Sequence, residues 1–76
     1  MFEYGNLKYV ENDENKNWYF IVKDEDKFIE KDLGEDFFLE ILNKLGEEGW
    51  ELVSIDVTLG FVLKRKLQEV YYAENN

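Results

Sequence analysis

The chain has no cysteine, no histidine and no proline among its 76 residues. Without cysteine there is no disulfide and no thiolate metal site, and without histidine the commonest metal ligand and general base is missing too. Hydroxyl nucleophiles are just as scarce. Apart from tyrosines there are only Ser54 and Thr58, and Ser54 falls inside an expected strand with no partner base in view. Paired carboxylates are the remaining route to chemistry. The nearest approach to a calcium loop, Asp24-Glu25-Asp26 with Glu30, lacks the central glycine and the regular oxygen spacing of an EF-hand. The expectation is a protein that is not an enzyme and needs no metal or cofactor. The longest apolar run, Trp18 to Val22, falls far short of the roughly 20 residues that cross a bilayer. Met1-Phe2-Glu3 also lacks the basic start of a signal peptide. No membrane partner is expected, and a cytoplasmic location is.

What the chain has in quantity is aromatic residues and acid. Two tryptophans, five tyrosines and six phenylalanines supply the rich core that so short a chain needs, because it buries only about 60% of its unfolded surface. Trp18, Tyr19, Phe20, Trp50, Phe61, Tyr71 and Tyr72 are more large side chains than one thin core hides. A homo-oligomer, with a dimer as the first expectation, is the natural substitute for a disulfide or metal staple. The formal net charge is −9, and residues 11–51 carry all of it with 14 acids against five lysines. Such a field repels phosphates and favours a basic protein surface, so no direct nucleic acid binding is expected.

The pattern along the chain predicts an α+β domain. Phe2 and Tyr4 alternate, then the phase changes through Gly5-Asn6 to Leu7 and Tyr9, which predicts a strand containing a bulge or bend. Residues 12–17 are polar and read as a loop. Trp18 to Val22 reads as a strand covered on both faces. After the charged tip Lys23 to Lys27, residues 28–31 return antiparallel as a hairpin. Asp32-Leu33-Gly34-Glu35 has the spacing of a capping box, with Asp36 as a competing cap. Phe38, Ile41, Leu42 and Leu45 then recur at helical steps on one face, with Phe37 flanking.

In "LNKLGEEGWELVSI", residues 42–55, helix gives way to strand. Gly46 stands where a small side chain lets a helix lie close to a sheet, and Gly49 can take the left-handed conformation that ends a helix. Trp50 opens a strand with Val53, Ile55 and Val57 on one face and Trp50 and Leu52 on the other. A turn at Thr58-Leu59-Gly60 leads into Phe61-Val62-Leu63 and the basic Lys64-Arg65-Lys66. The order is β-β-β-α-β-β, an antiparallel sheet of four to five strands with one helix across one face. Residues 1–67 form a single domain and residues 68–76 a tail.

On Leu42, Asn43, Leu45, Gly46, Gly49, Trp50, Leu52, Val53 and Ser54, followed by Phe61, Val62, Lys64 and Arg65, the chain resembles the family of small bacterial and phage domains of unknown function numbered 4177. The resemblance covers about a third of the chain well; residues 11–34 are longer and more acidic than the family pattern. It implies a cytosolic one-helix sheet domain, often encoded by phages, prophages and low-GC hosts, and it implies no catalytic residue.

Two functional readings stay open. In the first, a non-enzymatic domain engages a basic surface with Asp24, Glu25, Asp26, Glu30, Asp32, Glu47 and Glu48, as a phage-type inhibitor occupying a nucleic-acid site on a host protein would. Glu47 and Glu48 stand out because acid in the last turn of a helix opposes its macrodipole by about 0.3–1 kcal/mol each. In the second, an oligomer sequesters a nucleotide-like ligand by stacking on Trp18, Trp50 or Tyr72, with Lys64, Arg65 and Lys66 for phosphates.

Overall fold

A computed structural model describes residues 1–67. Five strands and one helix follow the order β1 (Phe2–Glu11), β2 (Lys16–Asp24), β3 (Lys27–Gly34), α1 (Phe38–Glu47), β4 (Glu51–Asp56) and β5 (Gly60–Lys66). They form one sheet in the order β3-β2-β1-β5-β4, antiparallel throughout, with α1 against one face. The fold is α+β, as the pattern predicts. The tail beyond residue 67 lies outside the described residues.

The central strand β1 is regular. Its ladders run unbroken from Gly5↔Val22 to Glu11↔Lys16 on one side and from Phe2↔Lys66 to Leu7↔Phe61 on the other. The bulge expected at Gly5-Asn6 is absent. The change of phase marks two faces of one strand, with Gly5 and Leu7 buried on the helix side and Phe2 and Tyr4 exposed on the other. Gly5 is glycine for a packing reason: a Cβ there would lie inside van der Waals contact with the Phe20 ring, which covers the vacant position.

Bulges occur elsewhere. Trp18 pairs with Gly34 and Tyr19 with Asp32, so Leu33 is the extra residue of β3, and it packs against the core. Leu52 pairs with Leu63 and Ser54 with Val62, so Val53 is the extra residue of β4. The bulge breaks the expected Val53–Ile55–Val57 face. Leu52, Val53 and Ile55 are exposed on this edge strand, so its apolar character is not the mark of burial.

The core is Leu7, Trp18, Phe20, Ile41, Leu45, Trp50 and Leu63, with Val22, Leu33, Phe38, Leu42 and Phe61 packed round it. Trp18 rests on Phe38 at 5.3 Å between ring centres and on Tyr9 at 4.9 Å, and its Nε1 donates to the Asp36 carbonyl at 3.0 Å. Strand β2 is covered on one face only. Tyr19 and Ile21 on its other face are half-buried with no layer over them.

The helix starts later than the capping box predicts. Asp32 stays in β3, where its carboxylate accepts from Asn17 Nδ2 at 2.8 and 3.0 Å and from the Gly34 amide at 2.9 Å. Asp36 pairs with Lys44 instead of capping, and the N-cap is Phe37 with no side-chain cap bond. At the other end the corner forms as the glycines predict. Gly49 has φ +93°, its amide donates to the Gly46 carbonyl at 2.9 Å, and the Trp50 amide reaches back to Leu45 at 3.0 Å. These two bonds are the Schellman arrangement, with Leu45 and Trp50 both buried as its apolar pair. Gly46 does not serve the close approach its spacing suggests: a Cβ there would meet nothing within 4 Å.

Candidate functional site

The β2–β3 hairpin closes through Asp24↔Lys27 and a two-residue turn, Glu25-Asp26, in which Glu25 takes φ 60°. Three successive carboxylates therefore occupy one exposed tip. Just behind it a small pit of about 70 Å³ opens between hairpin and helix end, lined by Phe20, Val22, Ile29, Lys31, Glu48, Trp50 and Arg65. The pit thus brings the helix terminus at Glu48, with Glu47 one residue before it, beside the hairpin whose tip carries Asp24, Glu25 and Asp26. Among the described residues none of these five carboxylates has an ion-pair partner.

Glu30 and Asp32 do not join them. Strand alternation sets both on the opposite sheet face, Glu30 against Ile21 and Asp32 against Tyr19, and Asp32 is engaged by Asn17 and Gly34. The oddity of acid at the helix C-terminus is relieved through the backbone. Arg65 donates from a terminal nitrogen to the Glu48 carbonyl at 3.1 Å, placing a cation where the macrodipole is negative. The same guanidinium holds Glu3 through Nε at 2.7 Å and lies 4.6 Å over the Trp50 ring. One side chain so ties β1, the end of α1 and β5.

The residues of the nucleotide-like alternative are dispersed. Trp18 and Trp50 are 8% and 5% exposed, and Trp18 spends its ring on Tyr9, Phe38 and Phe61 while Trp50 spends its on Phe20 and Arg65. Tyr72 lies outside the described residues. Lys64 and Lys66 stand opposite Tyr4 and Phe2 on the helix-free face, while Arg65 points to the helix side. Lys64 is further engaged by Glu51 at 3.8 Å and the Phe2 ring at 4.3 Å. A larger cavity of about 350 Å³ beside Arg65 is lined by Glu3, Glu48, Gly49, Arg65, Lys66 and Leu67. Its two carboxylates offset Arg65, already held by Glu3 and the Glu48 carbonyl, and leave Lys66 as the cation among its lining residues without an ion-pair partner, a weak receptor for phosphate.

The helix-free face of the sheet is a feature that the sequence reasoning missed. An apolar groove of about 340 Å³ runs across it between Tyr4, Asn6, Ile21, Phe28, Leu59 and Val62. Its signal was the alternation of Phe2, Tyr4, Asn6 and Lys8, obscured by reading Gly5-Asn6 as a bulge. Among the described residues no group of three or more carboxylates is close enough to hold a metal ion. No helix of the described residues is long and apolar enough to cross a membrane.

No curated protein and no solved structure matches the chain. The family model of the domain of unknown function DUF4177 matches residues 2–70, running through the acidic stretch 11–34 as well as the glycine-tryptophan corner. The chain therefore belongs to the DUF4177 family.

Proposed function

We propose that the chain is a non-enzymatic protein-binding domain whose acidic end, Asp24, Glu25 and Asp26 with Glu47 and Glu48, engages a basic protein surface. The observation that supports this reading is the placement of these carboxylates, none in an ion pair among the described residues, beside a small pit whose apolar wall is Phe20, Val22, Ile29 and Trp50 and whose polar side is Lys31, Arg65 and Glu48. Acidic charge at the hairpin tip steers a cationic partner, and the pit's apolar wall receives the end of one of its apolar side chains, the combination from which interface anchors are made. A partner surface of that kind is one that otherwise takes a polyanion, so occupation of it amounts to inhibition.

The test uses cationic peptides carrying one apolar residue, with binding followed by fluorescence anisotropy. Reversing Asp24, Glu25 and Glu48 to lysine should weaken binding by about tenfold or more, the loss of at least 1.4 kcal/mol. Reversing Glu11, Asp13 and Glu14, which changes net charge equally at the far end of β1, should change it far less. Raising the salt to about 1 M, where the Debye length is about 3 Å, should weaken the complex strongly. Equal losses from the two triple variants, or affinity indifferent to salt, would defeat the proposal.

A further inference from the structure

The helix-free face is an unusual surface for this chain. The side chains that β1, β2, β3 and β5 place on it include exposed Phe2, Tyr4, Val10 and Phe28, with half-buried Tyr19, Ile21 and Val62 between them. Phe28 is 73% and Tyr4 59% exposed. Large contiguous apolar surface of this kind is uncommon on a monomer.

Charge on the face is balanced, unlike that of the molecule as a whole. Lys8, Lys23, Lys64 and Lys66 stand against Glu30, Asp32, Glu51 and Asp56, in a molecule of formal charge −9. Two copies meeting by any acidic surface repel one another; meeting here, they do not. The charged groups also surround an apolar centre of Tyr4, Ile21 and Val62, the arrangement of an interface core with a polar rim.

Size agrees. Five strands about 4.8 Å apart and about 25 Å long present roughly 600 Å² of face. Two such faces bury about 1,200 Å², the lower bound of a stable interface. We propose that a second copy of this chain covers the helix-free face, the two sheets packing face to face with Tyr4, Ile21 and Val62 at the centre. The pair becomes a four-layer body, helix, sheet, sheet, helix, whose shared interior is the second core that one copy lacks. This face is not the one assigned to the basic partner, so the two proposals stand or fall separately.

The experiment is the mass of the full chain in solution, by sedimentation equilibrium at about 100 μM, well above a Kd of order 1 μM. Twice the chain mass of 9.2 kDa is expected. The double variant Tyr4→Glu, Phe28→Glu, altering exposed side chains only, should return it to the monomer mass with the far-ultraviolet circular dichroism unchanged. Leu39→Glu, on the exposed side of α1, should leave the dimer intact. If the double variant fails to fold, paramagnetic relaxation by a soluble gadolinium chelate on the wild-type chain decides, with Tyr4 and Ile21 protected in a dimer. A monomeric wild type, a dimer that survives the folded double variant, or Tyr4 and Ile21 fully open to the chelate overturns the proposal. So does a monomer that binds single-stranded oligonucleotide through this face.

Discussion

Gly46 and Gly49 stand three residues apart at the end of one helix, and the structure gives them opposite roles. Gly49 is held at φ +93°, where a side chain costs about 1–2 kcal/mol, whereas Gly46 is helical and faces open space. Gly49→Ala should therefore lower stability by about that amount, and Gly46→Ala should raise it by about 0.4–1 kcal/mol. Urea denaturation of the two variants tests the pair, and a common sign would contradict the corner as described. Gly5 is constrained by a neighbour. Gly5→Ala should cost about 1–3 kcal/mol by pushing the Phe20 ring aside, and Phe20→Leu in the same chain should recover part of that loss. Asp56 governs the β4–β5 turn. Its Oδ1 accepts from the Leu59 amide at 2.9 Å and the Thr58 amide at 2.7 Å, and these bonds hold its carboxyl below its ordinary value of 3.8. A depressed folded-state value means stability that is complete above the ordinary carboxylate range and is lost as pH falls through it. Asp56→Asn, which keeps an acceptor oxygen but cannot titrate, should flatten that part of the acid unfolding curve.

Helix α1 shows which elements the sequence disclosed and which it concealed. Its buried stripe, Phe38, Ile41, Leu42 and Leu45, was legible because period alone fixes a face. Its start was not. The capping-box spacing of Asp32 and Glu35 is a local signal, and it lost to a longer-range one, the Asn17–Asp32 contact that keeps Asp32 in the sheet. Both bulges were hidden for a similar reason, since an extra residue is defined only against its partner strand. The helix end depends on one side chain from β5. Arg65→Gln should destabilise the fold by about 1–2 kcal/mol, because it removes the Glu3 ion pair and the bond to the Glu48 carbonyl together. Arg65→Lys should restore little of it, since an ammonium cannot reach both acceptors while lying on the Trp50 ring. Thermal unfolding of the two variants checks this.

For the molecule as a whole, charge is the dominant long-range term. With 18 acids against nine basic residues, self-repulsion opposes the compact state, and salt relieves it. The melting temperature should rise as salt is added at neutral pH; a fall would show that the four ion pairs among the described residues outweigh the excess acid. The acidic end was half legible. A run of charge at a hairpin tip announces itself in sequence, but its nearness to Glu48 exists only once the helix lies across the sheet. The stacking residues of the alternative were named from composition, and composition cannot tell a tryptophan that fills a core from one that waits for a ligand.

The order of the sheet also sets a timetable. Strand β1 precedes the other strands and sits in the middle, yet one of its two neighbours, β5, pairs through Phe2↔Lys66 and is made only after β2, β3, α1 and β4. A chain emerging from the ribosome can assemble the β1–β3 meander early, but one side of β1 then stays unsatisfied until β5 has emerged. That interval of open hydrogen-bonding edge is when a nascent copy is most exposed to pairing with the wrong neighbour.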